Sequence, residues 1–443
     1  MRRADDARAI APPPVGRPRV VTRRRLFGVG TLALAGGAVS GRVADGGPRA
    51  IGGAAMTSLA RRRRLRIAIT DQQAAKIGPL LQRFEEEHDT TIEVTALPAA
   101  ELYALLAVEL LHETQSIDVT CLSDDWIASL GRSAVLVSGG DLVSEESSTL
   151  LHERVIDLGR SLDDERLVAA PWTVDVGFTA VNGAAIDLTT VPRRWDDLAD
   201  LVEREGSSSL VLAGASGAVA ATTFRAILRG FGTDIVEPDT NRPAVTGYAA
   251  RRAMSVMQRL QASTTVSPLA VDDRVLRDLL AQGAATSCPH VWASTWLDAG
   301  TPAGWRLLPP LRASAPRGSH LLRAWLLAIP KTAADVALSR TFVEWMLASA
   351  NQRSLLDLGF VPSSTDVLGD RAVIASRPAV AEIVRGLGRS AARPRLRSFP
   401  EINRVCGEAV ATILAGNASV GTAFRAANAE MRRVLEREGE LRL

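Results

Sequence analysis

From residue 65 onward, apolar positions recur in alternating periods of two and of three to four. Leu65, Ile67 and Ile69 fall on every second position, as on a strand with one covered face. Ile77, Leu80, Leu81 and Phe84 then repeat at i, i+3, i+4 and i+7, the apolar face of a helix that ends on Glu85, Glu86 and Glu87. Residues 91–95 read as a second strand, and Leu102, Leu105, Leu106 and Leu110 as the inner face of a second helix. Residues 117–122 read as a third strand, closed by Ser123, Asp124 and Asp125. Further on, 168–172 and 178–182 read as strands on either side of a polar crossing. Residues 210–212 and 285–288 read as short strands within a mainly helical region. Residues 326–330 read as a strand before a helix carrying Phe342, Trp345 and Met346, and 402–435 as two helices broken at Gly416 and Asn417.

Strand, helix, strand, helix, strand within about 60 residues is the rhythm of a parallel α/β sheet with helical crossovers. In such sheets ligands bind beyond the carboxyl ends of the strands. Three strand ends are therefore candidate site positions: Thr70, Asp71 and Gln72; Leu97 and Pro98; and Ser123, Asp124, Asp125 and Trp126.

Charge changes the picture only once it is located. The 443 residues carry a formal net charge of +3, yet residues 1–66 hold 15 Arg and 3 Asp, a net of +12, which leaves 67–443 at −9. The globular part is acidic, so the basic total is no footprint for nucleic acid. Thr22, Arg23, Arg24, Arg25, Leu26 and Phe27 precede an uncharged Gly/Ala-rich stretch, which resembles a twin-arginine export signal over residues 1–40, with 38–40 as a small-residue cleavage site. The alternative is a membrane anchor, but 16 uncharged residues between Arg25 and Arg42, five of them Gly, make a poor span. Residues 41–66 read as a basic Gly/Ala/Arg linker. No Cys follows the apolar stretch to carry a lipid anchor, so a periplasmic or extracellular protein is expected. Three Cys residues, all distant in sequence, read as buried free thiols.

Catalytic patterns are missing. The five His have no metal-ligand spacing, and Gly214 to Ala218 is one residue short of a nucleophile elbow. Two Tyr and scattered His argue against an iron carrier. Neither a cofactor nor a metal is expected.

The order of motifs resembles family 1 extracellular solute-binding proteins, the sugar-type substrate-binding components of ABC importers. The likeness is carried by Phe84 to His88 followed by a strand, Leu97, Pro98 and Tyr103; by Asp118 and Val119 leading to Asp124, Asp125 and Trp126; by Val168 to Asp175, then Val181, Asn182 and Pro192 to Leu198; by Gln282 to Ala285 ahead of Val291 and Trp292; and by Trp325 to Lys331. It spans roughly 65–437, with Val181 standing where the family often has Tyr. The resemblance implies an α/β, two-lobed type II periplasmic-binding-protein fold, with lobe 1 at 67–173 plus 320–370 and lobe 2 at 177–318 plus 371–443. It implies a cleft that closes on a carbohydrate, delivery to a membrane permease, a monomer, and no enzyme activity. It places ligand contacts at Asp125, Asp175, Trp292, Trp172, Trp126, Gln72, Ser216, Asn403 and Arg404. Carboxylates suit hydroxyl donors and Trp suits the C–H faces of a sugar. Asp124 reads as a helix cap. The other readings are an exported carbohydrate-active enzyme and a binder of glycerol-phosphate-type or other non-sugar solutes.

Overall fold

The computed structural model describes residues 62–442 except 185–190, 206–209, 265, 301–303 and 314–318. The segment expected to be an export signal, 1–40, and most of the expected linker, 41–66, lie outside the described residues. The end of the expected linker is already strand: β1 runs Arg63–Thr70, with Leu65, Ile67, Ala68 and Ile69 buried. Arg66 on β1 donates to Asp118 from Nε (2.9 Å) and Nη2 (2.8 Å). Burial works against the Asp118 carboxylate, yet these bonds hold it below its ordinary range.

Thr70 ends β1 and starts the helix Asp71–His88 through a reciprocal cap. Gln73 N donates to Thr70 Oγ1 (3.2 Å), and Thr70 N donates to Gln73 Oε1 (3.0 Å). Asp89, at φ 44°, turns the chain into β2 (Thr90–Leu97). The helix Ala99–His112 leads on to β3 (Val119–Ser123), which is buried at every position. β1 pairs in parallel with β2 on one side and β3 on the other, as the periodicity predicts.

The remaining strands are β4 (Ala170–Asn182), β5 (Ser287–Trp292), β6 (Trp305–Leu308), β7 (His320–Ala328) and β8 (Ser390–Ala391). Sheet order is β2-β1-β3-β7-β4-β5, with β6 on β4 and β8 on β7. The sequence suggests two strands around a polar crossing at 173–177; the structure has one unbroken strand there. The polar residues fit because they alternate. Thr173 and Asp175 line the cleft described below, while Val174, Val176 and Phe178 join the core with Leu322, Ala324 and Leu326 of β7. Residues 210–212 form only isolated parallel bridges, from Leu210 to Thr264 and to Ser287 at the start of β5.

Two further hydrophobic cores are distinct from this one. The first gathers Ile67, Phe84, Trp172, Phe342 and Met346; the second gathers Trp195, Phe224, Met254, Phe399 and Phe424. Two lobes result, joined through β4 and β7. Cys121, Cys288 and Cys406 are free and buried.

In the second core, the helices Gly217–Arg229 and Phe399–Leu414 cross with their backbones in contact. A Cβ on Gly407 would lie 1.7 Å from the Gly217 carbonyl oxygen. Gly407→Ala is expected to force the helices apart at a cost of about 1–3 kcal/mol, seen as a lowered Tm by circular dichroism; an unchanged Tm would refute this packing.

Candidate functional site

Two of the three strand ends nominated by the sequence line a cleft, through Thr70, Asp71 and Gln72 and through Ser123, Asp125 and Trp126; Leu97 and Pro98 do not line it, and only Ala99 beside them does. The cleft has two compartments, of about 320 Å³ and about 910 Å³. Ala99, Asp273, Arg323 and Trp325 line both, so the compartments meet at these side chains.

β7 builds the boundary. Arg323 and Trp325 point to the cleft from alternate positions, and Asp175 is the register partner of Arg323 across β4 and β7. Asp175 Oδ2 accepts from Arg323 Nη2 (2.9 Å) and Nε (3.3 Å), and from Ser294 Oγ (2.5 Å). Its Oδ1 accepts from Ser294 N (3.0 Å) and Val176 N (3.1 Å). Five donors saturate the carboxylate. Asp175, expected to contact the ligand, is thus occupied within the protein, where it ties β7 and the helix Ala293–Asp298 to β4. The Arg323 guanidinium also lies 4.0 Å from the Trp292 ring centroid, and its Nη1 is 3.8 Å from Asp273. Burial raises the Asp273 carboxyl above its ordinary range, against the pull of Arg323.

A second charged cluster sits where β3 ends. Arg393 donates to Asp124 from Nε (3.0 Å) and Nη2, and to Ser123 Oγ (3.0 Å). Its Nη1 is 2.9 Å from Asp125 Oδ2. Asp124 also accepts from Ala324 N (2.9 Å). The helix-cap expectation for Asp124 is thus replaced by a buried ion pair that pins the segment after β8 to β3. Asp125 keeps one oxygen, Oδ1, with no hydrogen-bond partner.

The larger compartment brings together Asp125, Trp126, Ser216, Trp292, Asn403 and Arg404. Trp126 packs edge-on to Tyr103 (5.4 Å) and Trp325 (5.5 Å). Ser216 caps its helix by accepting from Val219 N (3.3 Å). Arg404 is exposed and paired with Glu408 at 2.6 Å. Asn403 Oδ1 and His290 Nε2 are buried without partners. Gln72 lines the smaller compartment instead. Trp172 lines neither: it is fully buried and donates from Nε1 to Cys121 Sγ (3.3 Å). That position is core, because Thr173 and not Trp172 faces the cleft.

Tyr103, His290, Arg323, Trp325 and Arg393 were not nominated by sequence reasoning. For Arg323 and Trp325 a signal existed, the two-residue alternation along β7. Arg393 gives none, since its role depends on a contact 269 residues away in sequence.

Charges lining the cleft balance among the described residues. The larger compartment has Asp125, Asp273, Glu401, Glu408 and Glu438 against Arg132, Arg323, Arg393, Arg397 and Arg404. The smaller has Asp71, Asp175, Asp273 and Asp298 against Lys76, Arg274, Arg277 and Arg323. Among the described residues no group of His, Cys, Asp and Glu could hold a metal ion.

Two α/β lobes hinged on shared strands, with a ligand-sized cleft between them, define the class of periplasmic-type binding proteins. The chain belongs to the family described as bacterial extracellular solute-binding protein, whose sequence profile matches residues 68–353. Solved structures agree on the fold. Maltose-bound MalE3 of T. maritima superposes with a TM-score of 0.75 at 17% identity, covering 84% of this chain and 100% of that one. An ABC transporter solute-binding protein of Agrobacterium radiobacter K84 in complex with ribitol gives 0.75 at 17% identity, over 84% and 98%. One of Agrobacterium vitis S4 with bound D-mannitol gives 0.75 at 14% identity, over 85% and 99%. No curated protein sequence matches the chain. No helix among the described residues is long and apolar enough to cross a membrane.

His290 and His320 flank Gly177 of β4. His320 Nδ1 donates to the Gly177 carbonyl (2.7 Å), and a Cβ on Gly177 would lie 2.2 Å from His290 Cε1. Burial pushes His290 down to about 3 and His320 down to about 4. The unfolded chain takes up these protons near pH 6.5 and the folded chain does not, so stability falls as pH drops below about 6.5, by up to about 1.4 kcal/mol per pH unit for each His. Thermal melts from pH 7.5 to 4.5 are expected to show a shallower decline for His320→Gln than for wild type. The difference isolates His320 from Asp124 and Asp273, whose raised carboxyls act in the opposite sense.

Proposed function

We propose that the protein is the extracytoplasmic substrate-binding component of an ABC importer, and that it holds a neutral carbohydrate or polyol between its lobes. The observation that carries this reading is the larger compartment: its charges balance, its walls are Tyr103, Trp126, Trp292 and Trp325, and Asp125 and Asn403 each keep an oxygen without a partner. A balanced wall gives a net-charged solute no advantage. Aromatic faces suit sugar C–H surfaces, and unpartnered acceptors suit hydroxyl donors. Maltose, ribitol and D-mannitol in the neighbouring structures support the same class of ligand.

In this reading lobe 1 is 67–173 with 320–370, and lobe 2 is 177–318 with 371–443. The ligand closes the lobes because it touches both only when they are together. Taking a 1:99 closed:open mixture to 99:1 needs about 5.5 kcal/mol of differential binding. The closed monomer then docks on a membrane permease outside the cytoplasm. Binding without catalysis is favoured because Asp175, the partner a glycosidase pair with Asp125 would need, has every acceptor filled.

A thermal-shift screen of the full chain against sugars, polyols and glycerol phosphates tests the reading. A hit at 100 times Kd stabilises by about 2.7 kcal/mol and is recovered unchanged. Asp125→Ala is expected to weaken that hit at least about tenfold while the protein stays folded. Silence across the panel, or recovery of a cleaved ligand, would sink the proposal.

Lys76 of the first lobe pairs with Asp298 of the second at 3.0 Å, and Asp298 also meets Arg277 at 3.2 Å. Lys76→Ala is expected to favour the open form, weakening the ligand by a factor of about two to five and enlarging the radius of gyration measured by X-ray scattering.

A further inference from the structure

We propose that Arg323 sets how long a ligand the cleft accepts, by standing between the two compartments and covering the face of Trp292. The inference rests on reading the cleft as a carbohydrate site. Arg323 lines both compartments. Its guanidinium lies 4.0 Å from the Trp292 ring centroid, on the surface a pyranose would use, and an arginine plane and a sugar C–H face compete for that one area.

The side chain is also pinned in place. Asp175 accepts from Nη2 at 2.9 Å and Nε at 3.3 Å, and Asp175 is itself fixed by Ser294 N and Oγ. Swinging Arg323 away from Trp292 would leave the Asp175 carboxylate, 5% exposed, without its cation. Arg323 therefore acts as a fixed partition.

Polar groups fall unequally on its two sides. In the smaller compartment four charged groups are engaged within the protein: Lys76 and Arg277 both hold Asp298, and Asp175 is saturated. In the larger one Asp125 and Asn403 each retain an oxygen, and His290 a nitrogen, without a partner. Among the described residues, the buried polar atoms of cleft residues left without a partner all belong to the larger side. A ligand fills the larger compartment and stops at Arg323, so a further unit extended toward Lys76 adds no contact.

The test uses the full chain and linear saccharides of one to five units built on glucose, galactose and mannose, with ribitol and D-mannitol counted as one unit. Affinities are measured by calorimetry. In wild type, affinity is expected to stop rising at a definite length. In Arg323→Ala the longest bound ligand gains at least one unit, with tenfold or more improvement for that longer ligand. Because Arg323→Ala strands Asp175, the charge-neutral double variant Asp175→Asn, Arg323→Gln is run beside it, with circular dichroism to establish folding. A length profile that is the same in wild type and in the folded variant overturns the proposal and leaves the carbohydrate reading intact. Silence of the whole panel against wild type and variants overturns both.

Discussion

The pairing of Asp175 with Arg323 is the contact on which the arrangement of the molecule depends. It joins register partners on the two strands that both lobes share, and through Ser294 it extends to the helix that follows β5. A carboxylate as buried as Asp175 is costly to place there unless it finds a cation and a full set of hydrogen bonds. Here the carboxylate has five donors. The pairing of β4 with β7 and the floor of the cleft are consequently one structure, and neither can be altered without the other.

That constraint explains why β4 is continuous. Its back carries Val174, Val176 and Phe178 into a core shared with β7, and its front carries Thr173 and Asp175 to the cleft. A strand with one apolar and one polar face can cross between two lobes without a break, because alternation satisfies both environments at each step. Gly177 continues the same logic. It leaves the space that His290 occupies on one flank, while its carbonyl accepts from His320.

Much of this was legible in the sequence where the physics is local. The apolar face of Ile77, Leu80, Leu81 and Phe84 and the parallel pairing of the first three strands follow from spacing alone. The order of motifs named the fold family. What stayed hidden depends on partners distant in the chain. Asp124 looks like a cap until Arg393 arrives from 269 residues away. Trp172 looks like a cleft wall until the bulge between Pro171 and Thr173 decides which of two neighbours faces outward. Asp175 was found by position, but its five donors were invisible, because a free and a saturated carboxylate are spelled alike.

The three cysteines close the account. Cys121, Cys288 and Cys406 are each buried, and burial pushes every one of their thiols up to about 12. At neutral pH they stay protonated and are poor nucleophiles. Cys121 instead acts as packing and as a weak acceptor for Gln73 and Trp172. The described fold therefore makes no use of the redox state of its surroundings. It can reach its finished form in a reducing compartment and keep it unchanged in an oxidising one.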